Sequence, residues 1–266
     1  MTNKSLLRSL IEWGADEAVG EQPRNYFAAP KIIEPSFRQQ PESSATKDLD
    51  SGFRRNDSAK LQASPALGHA SARALADQAT TLAEIEAAVR AFDGCALKKT
   101  ASKTVFADGN PAAKIMIIGE APGADDDVQG IPFCGASGAL LDKMLAAIGL
   151  DRTSVYITNS VFWRPPGNRQ PSAEETSICL PFVEKHIALV APQLLLLAGG
   201  TATNALLRRE ESMSRLRGKT YQYQNEYLPA PIQTIVTYAP SYLLQQPAQK
   251  RAAWQDLLMA QALLRN

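Results

Sequence analysis

Residues 115 to 141 constrain the fold most strongly, because they join four different local patterns within one short stretch. A short apolar run is followed by a Gly/Pro loop, an acidic cluster and a group of small residues that opens a helix. In an open α/β sheet, a loop of this kind forms a pocket at the carboxyl end of a strand. The stretch therefore predicts both a parallel sheet and the position of its functional site.

The rest of the chain alternates between strand and helix patterns. Strands are predicted over residues 114–118, 155–159, 194–198 and 233–237. Helices are predicted over residues 81–92, 137–148, 173–190, 201–209 and 250–264. The run 194–198 is wholly apolar, as expected of a parallel strand covered on both faces. This alternation predicts an α/β protein, a three-layer α/β/α sandwich with a mostly parallel central sheet.

Three parts are expected along the chain. Residues 1–19 contain an amphipathic helix. Residues 20–75 are rich in Pro, Ser, Gln and Asp, lack periodicity, and predict a disordered linker. Residues 76–266 form the folded domain. The N-terminal helix either binds an unknown protein partner or is a weakly docked arm without a function of its own.

Composition limits the binding partners and the cellular compartment that we expect for the protein. A hydrophobic content of 45% permits a full core, and a net charge of +1 means that any nucleic-acid contact must come from local basic patches. Three cysteines without disulfide spacing indicate reduced thiols and a cytoplasmic protein. The apolar runs are too short to cross a membrane.

Three segments carry a resemblance to a known family. They are Gly119-Glu-Ala-Pro-Gly123, the run from Val155 to Asn159 with its Arg-Pro-Pro loop, and Pro240-Ser-Tyr-Leu-Leu244. Together they resemble the uracil-DNA glycosylases, specifically the iron–sulfur-bearing family-four branch. The resemblance implies a monomeric enzyme that hydrolyses the N-glycosidic bond of uracil in DNA after flipping the nucleotide out of the helix.

For the first segment, the resemblance places the base against Gly119, Ala121 and Gly123, since glycines let the backbone approach a ligand. Phe133 offers an apolar face on which a pyrimidine stacks; an ordinary core phenylalanine is the alternative. Glu120 is the pocket carboxylate, which acts on the water or on the sugar cation; a solvated loop carboxylate is the alternative. The neighbouring Asp125–Asp127 are expected to organise the loop.

In the second segment, Asn159 is the main candidate for base recognition. Its carboxamide presents a donor and an acceptor, which match a uracil edge and mismatch cytosine. An asparagine after a strand is otherwise a common turn former. Arg164 and Arg169 flank the proline-rich loop as candidate phosphate contacts. Arg217 belongs to a further basic group that we expect to bind the DNA backbone, with a solvated face as the alternative.

The third segment departs from the family at one position. Pro240 and Ser241 match and, with the leucines that follow them, are candidates for a wedge into the minor groove, but Ala239 stands where the family has a histidine. That histidine contacts the departing base, so we expect reduced activity. Two alternatives remain open: a catalytically inactive DNA-binding homologue, and a glycosylase for another deaminated base such as hypoxanthine or xanthine.

The family's iron–sulfur ligands are also incomplete. The four cysteine positions of the family correspond here to Cys95, Lys98, Trp163 and Cys179. Two thiolates do not satisfy a cluster that four normally hold. We therefore expect no metal and no cofactor, with Trp163 filling the vacated space.

Overall fold

The computed structural model describes residues 65–265. The predicted N-terminal helix and most of the predicted linker lie outside these residues. Within them, no helix is both long enough and apolar enough to cross a membrane.

A single mixed sheet organises the described residues. It has six strands in the order β1-β3-β2-β4-β6-β5. The four central strands are parallel, and the two edge strands pair antiparallel to their neighbours. The strands are β1 Ala107–Gly109, β2 Ile115–Gly119, β3 Tyr156–Asn159, β4 Leu194–Ala198, β5 Thr220–Tyr223 and β6 Ile232–Thr237. The sequence patterns predicted the four central strands but neither of the edge strands.

Helices cover both faces of this sheet. They are α1 Pro65–Gln78, α2 Leu82–Ala91, α3 Ala124–Gln129, α4 Ala136–Ala146, α5 Ala173–Val190, α6 Gly200–Leu207, α7 Met213–Leu216, α8 Pro240–Gln245 and α9 Lys250–Leu264. Short 3₁₀ turns occur at Ala96–Lys99, Pro166–Asn168 and Pro247–Gln249. The predicted α/β fold is confirmed.

Alternation along the buried strands divides the core into two halves. Met116 and Ile118 pack with α1, α2 and α5 on one face. Ile115 and Ile117 pack with α4 and α9 on the other face. Successive side chains of a strand point to opposite faces, so a wholly apolar strand must be covered twice. The molecule is therefore a three-layer sandwich.

The domain begins earlier than predicted. Helix α1 starts at Pro65, within the stretch predicted as linker, and packs against α5. Its buried face includes the small residues Ala72 and Ala76, which give only a weak apolar signal. Proline reads as a helix breaker in a sequence, but the first turn of a helix tolerates it. The predicted boundary at residue 76 is therefore corrected to about residue 65.

The parallel register brings four strand ends to one edge of the sheet. Gly119 of β2 pairs with Asn159 of β3, and Ala198 of β4 pairs with Thr237 of β6. The loops that follow these strands contain all three segments singled out in the sequence. The fold thus gathers the candidate residues at the edge where α/β proteins bind their ligands.

Candidate functional site

A cavity of about 580 Å³ opens at this edge of the sheet. It is surrounded by the loops after β2, β3 and β6 and by the residues that precede α4. Predicted site residues in its wall are Glu120, Ala121, Gly123, Phe133, Arg169 and Ser241. The structure therefore brings together residues from all three sequence segments.

The side chains of Asn159 and Phe133 both lie close to Gly119. A methyl group on Gly119 would lie 2.4 Å from the Asn159 Oδ1 atom and 2.4 Å from the Phe133 Cζ atom. Asn159 is 1% exposed, and neither its oxygen nor its nitrogen finds a hydrogen-bond partner among residues 65–265. A buried amide without partners is costly and rare in proteins, so Asn159 is a candidate for hydrogen bonds to a ligand.

Glu120 is held by the start of helix α6. Its Oε1 atom accepts a hydrogen bond of 2.8 Å from the backbone N–H of Thr201. The N-terminus of a helix favours a carboxylate through its free N–H groups and its dipole. Gly199 permits this approach, because it has a φ of +112° and a methyl group there would lie 2.5 Å from the Glu120 Cδ atom. Sequence reasoning missed Gly199 and Thr201, although Gly199-Gly200 directly after an apolar strand was an available signal.

The acidic cluster shapes the loop, as predicted. Asp126 accepts hydrogen bonds from the backbone N–H groups of Gly123 and Cys134. Asp127 accepts from the backbone N–H groups of Ser102 and Lys103. The N–H group of Gly123 is therefore used within the loop, so Gly123 lines the cavity without offering its amide to a ligand.

Cys134 sits in the same loop but does not act as a nucleophile at neutral pH. Partial burial and its hydrogen bond to Asp126 raise the pKa of the Cys134 thiol to about 11. Its thiolate is thus scarce near pH 7.

Two of the predicted phosphate contacts lie in the loop between β3 and α5. Arg164 donates to the Asn168 Oδ1 atom at 2.7 Å, and Arg169 makes two hydrogen bonds to Glu175, of 2.8 and 2.6 Å. The Arg169 side chain remains 48% exposed. These bonds fix the shape of the loop while leaving the Arg169 guanidinium accessible at the cavity wall.

Arg217, a predicted contact of the DNA backbone, is paired within the protein. Its guanidinium donates to both carboxylate oxygens of Asp256, at 3.1 and 2.8 Å, and to the carbonyl of Ala252. Asp256 is fully buried, and this burial raises the pKa of its carboxyl above the usual value. A buried carboxylate needs a counter-charge, so the guanidinium is committed to the core.

The predicted wedge shifts along helix α8. Pro240 is buried as the first residue of the helix, so it is not available to enter a DNA groove. Ser241 is exposed and lines the cavity. Tyr242 and Leu244 are 40% and 44% exposed, which is high for large apolar side chains. The exposed apolar surface of this segment therefore belongs to Tyr242 and Leu244 rather than to Pro240.

Comparison with known proteins places this site in a family. The sequence model of the uracil DNA glycosylase superfamily matches residues 106–258. The chain belongs to the uracil DNA glycosylase superfamily. It is 35% identical over 182 residues to the type-4 uracil-DNA glycosylase of Pyrobaculum aerophilum, covering 67% of this chain and 92% of the relative.

Further relatives agree with this assignment. The type-4 uracil-DNA glycosylase of Archaeoglobus fulgidus is 38% identical over 157 residues, covering 58% of this chain and 78% of the relative. The type-5 uracil-DNA glycosylase of Thermus thermophilus is 35% identical over 114 residues, covering 37% of this chain and 52% of the relative. These relatives confirm the predicted family and its enzyme class, a hydrolase acting on N-glycosyl bonds.

Protein side chains fill the corner that contains Cys95, Trp163 and Cys179, three of the positions at which the resemblance leads us to expect cluster ligands. Trp163 is 1% exposed, stacks on Phe92 with 6.5 Å between ring centroids, and donates from Nε1 to the Thr104 Oγ1 atom at 3.0 Å. Lys98 donates to Asp93 at 2.8 Å and to the carbonyl of Arg90 at 2.6 Å. The Lys98 ammonium group carries no lone pair for a metal, and the Trp163 indole N–H is only a donor, so neither residue can replace a cysteine ligand.

The two remaining thiols of this corner contact each other. Cys95 and Cys179 are both fully buried and joined by a hydrogen bond between their side chains. The contact with Cys95 and the complete burial raise the pKa of the Cys179 thiol. Among the described residues, no group of three or more His, Cys, Asp or Glu side chains could hold a metal ion. The residues present do not fit an iron–sulfur cluster.

No histidine among the described residues takes the place of the missing one. Ala239, the position at which the resemblance leads us to expect a histidine, lines the cavity. His186 lies in the core, 2.9 Å from the Tyr156 hydroxyl and stacked on Phe106 with 4.4 Å between centroids. Burial lowers the pKa of His186 to about 3. His186 is therefore a neutral core residue with no access to the cavity.

Proposed function

We propose that this protein removes uracil from DNA by hydrolysing the N-glycosidic bond of a flipped deoxyuridine. One observation carries the proposal. The Asn159 amide is buried without partners beside the Phe133 ring, at the strand edge where the cavity opens. Membership of the superfamily and the type-4 names of its relatives support the same reaction.

Base selection follows from the chemistry of the carboxamide. The Asn159 nitrogen donates to uracil O4, and the Asn159 oxygen accepts from uracil N3–H. Cytosine presents an amino group and an unprotonated ring nitrogen at these positions, which would leave both atoms of the amide unpaired. Stacking on Phe133 adds affinity for the flat base without selecting among bases. In the proposed site, Asn159 therefore selects uracil among the bases, and Phe133 strengthens binding by stacking on the base.

Bond cleavage needs stabilisation at the sugar and at the departing base. The electron pair of the C1′–N1 bond passes to uracil, and water adds to C1′ with loss of a proton. Glu120 is placed to stabilise the sugar cation or accept that proton, since Thr201 fixes one of its oxygens at the cavity wall. Ala239 offers no donor to the uracil anion, and the loss of one such donor typically slows a reaction about a hundredfold. We therefore infer a slow enzyme.

DNA contacts are proposed around the cavity mouth. Arg164 and Arg169 stand in the loop after β3 and are suited to phosphate oxygens. Tyr242 and Leu244 present the exposed apolar surface that a wedge between base pairs requires. Ser241 lies between this surface and the cavity.

We further propose that the protein acts without an iron–sulfur cluster, as a monomer in the cytoplasm. The filled corner around Trp163 and Lys98 supports the first point. The cysteines Cys95, Cys134 and Cys179 are free thiols, which supports a reducing compartment.

An oligonucleotide assay tests the reaction. Purified protein is incubated with single- and double-stranded oligonucleotides that contain uracil, and abasic sites are then cleaved with alkali. We expect slow cleavage that Asn159→Ala strongly reduces and Ala239→His accelerates. Binding without any product would indicate an inactive homologue, an alternative that Ala239 favours. Product from hypoxanthine or xanthine but not from uracil would instead indicate another substrate.

Iron content tests the proposal that the protein acts without an iron–sulfur cluster. The wild-type protein, purified without oxygen, should be colourless and free of iron. The double substitution Lys98→Cys with Trp163→Cys should restore four ligand positions and introduce iron with visible absorbance. Stoichiometric iron in the wild type would overturn the proposal.

A further inference from the structure

Arg152 lies outside the three sequence segments, in the turn between α4 and β3, and yet it contacts the loop that carries Phe133. Its NH1 atom donates to the carbonyl of Pro132 at 3.3 Å, and its NH2 atom donates to the carbonyl of Phe133. One guanidinium thus binds two successive carbonyls just where the chain turns the Phe133 ring towards Gly119 and Asn159.

The backbone conformation of Phe133 requires stabilising contacts from other residues. Phe133 has a φ of +54°, a left-handed conformation that a bulky residue adopts only at a cost of about 1–3 kcal/mol. Such a conformation persists when surrounding contacts hold it in place. The start of helix α4 presses on the same carbonyl, since a methyl group on Gly138 would lie 1.5 Å from the Phe133 oxygen.

Arg152 is itself fixed from two sides. Its NH1 atom lies 2.7 Å from Asp108 of β1, and its Nε atom lies 2.8 Å from Asp142 of α4. The side chain is 26% exposed, so these pairs are partly shielded from solvent. Two carboxylates on two different elements therefore orient one guanidinium, whose planar fork suits several simultaneous bonds. A lysine at this position would offer a point charge in place of that fork.

From these contacts we propose that Arg152 is a positioning residue that holds the Phe133 ring in place for stacking against the base beside Asn159. Arg152 acts through the Phe133 carbonyl and does not touch the substrate. This role rests on the proposed function, because it deepens the account of base binding at the same site.

Kinetics of Arg152→Gln and Arg152→Lys test the role. Stacking on an aromatic side chain contributes about 1–3 kcal/mol per base, which corresponds to about 5- to 150-fold in binding. Arg152→Gln should therefore raise KM for a uracil oligonucleotide, and the inhibition constant of free uracil, by about tenfold, with a smaller effect on kcat. Arg152→Lys, which keeps the charge, should recover only part of this loss. A purely structural role would lower the melting temperature while leaving both constants of the folded protein unchanged, and that result would overturn the proposal.

A double-mutant cycle shows whether Arg152 acts through Phe133. In a Phe133→Ala background, Arg152→Gln should no longer raise KM or the uracil inhibition constant, because no ring remains to be positioned. Additive effects would contradict the proposal. Arg90→Gln is the matched control, since Arg90 forms an exposed ion pair with Glu86 in helix α2 and should change neither constant.

A readout without turnover keeps this test separate from the proposed function. Amide hydrogen exchange over residues 130–138 should increase in Arg152→Gln, with no increase in Arg90→Gln. If the wild type proves inactive towards uracil, the proposed function fails, while faster exchange in this loop would still support the positioning role. Unchanged exchange in Arg152→Gln would overturn that role even in an active enzyme.

Discussion

The corner around Trp163 and the strand edge around Asn159 differ in how their buried polar groups are bonded. In the corner, the Trp163 nitrogen donates to Thr104, and Lys98 pairs with Asp93. At the strand edge beside the cavity, both polar atoms of the Asn159 amide lack a partner among the described residues. Unpaired buried polar groups are costly, and we propose that a bound base completes the bonds of this amide. The corner is thus bonded within the protein, whereas the Asn159 amide is left for a ligand in the proposed site.

The sharpest test of this comparison is Asn159→Ala. We expect kcat/KM on uracil oligonucleotides to fall by about a hundred- to a thousandfold, because the selective hydrogen bonds to the base disappear. The free energy of unfolding should change by less than about 1 kcal/mol, since the amide has no bond to lose in the free protein. Single-turnover kinetics and urea denaturation measure the two quantities. A large loss of stability would mean that Asn159 is a structural residue.

The opposite pattern is expected for Trp163→Ala. Removing a fully buried tryptophan should lower the free energy of unfolding by about 3–5 kcal/mol. The kcat/KM of the folded protein should stay within about threefold of wild type, because the Trp163 ring packs in the core and is not part of the cavity wall. Denaturant unfolding checks the first expectation and kinetics on the folded fraction the second. Trp163→Phe, which keeps most of the volume, is the control and should lose far less stability.

Gly119→Ala tests how closely the pocket is fitted. Its new methyl group would collide with both the Asn159 oxygen and the Phe133 ring, each 2.4 Å away. We expect kcat/KM to fall by about a hundredfold, since displaced recognition groups lose their geometry. Gly200→Ala is the matched control, because a methyl group there would meet only the Met213 side chain at 3.6 Å. Wild-type activity in Gly119→Ala would show that Asn159 and Phe133 do not flank the base.

The last prediction concerns pH and the residue His186, a buried polar residue of the core whose effect vanishes near neutral pH. Its pKa is about 3 in the folded state, against about 6.5 in an unfolded chain. Below pH 6.5 the unfolded chain therefore binds a proton that the folded state excludes. The free energy of unfolding should fall with decreasing pH from 6.5 towards 3, by up to about 1.4 kcal/mol per pH unit from this group.

Urea denaturation at several pH values measures this slope. His186→Gln should flatten it, whereas the control His69→Gln should leave it in place. An unchanged slope in His186→Gln would mean that other groups cause the acid sensitivity.

How much of the molecule the sequence predicts depends on the range of the interactions involved. The central strands and the long helices were predictable, because hydrophobic periodicity is a local property. The edge strands β1 and β5 were not, since a short and partly exposed strand such as Ala107–Gly109 has no distinctive pattern. Helix α1 was missed for a related reason: Ala72 and Ala76 become core residues only once α5 covers them.

The same division runs through the site. By itself, the sequence determined that Glu120 and Asn159 lie at the carboxyl ends of parallel strands and that Phe133 lies in the segment after the first of them, and hence predicted that they share one edge. Only the tertiary structure decided that Arg217 is bound to Asp256, that Pro240 is buried, and that Arg152 supports Phe133. The type of a side chain and its place in a helix or strand follow from the local sequence, but the residue that pairs with a charged group lies far away in the chain. Tertiary packing determines this pairing, and with it whether an arginine is free to bind DNA or is paired within the core.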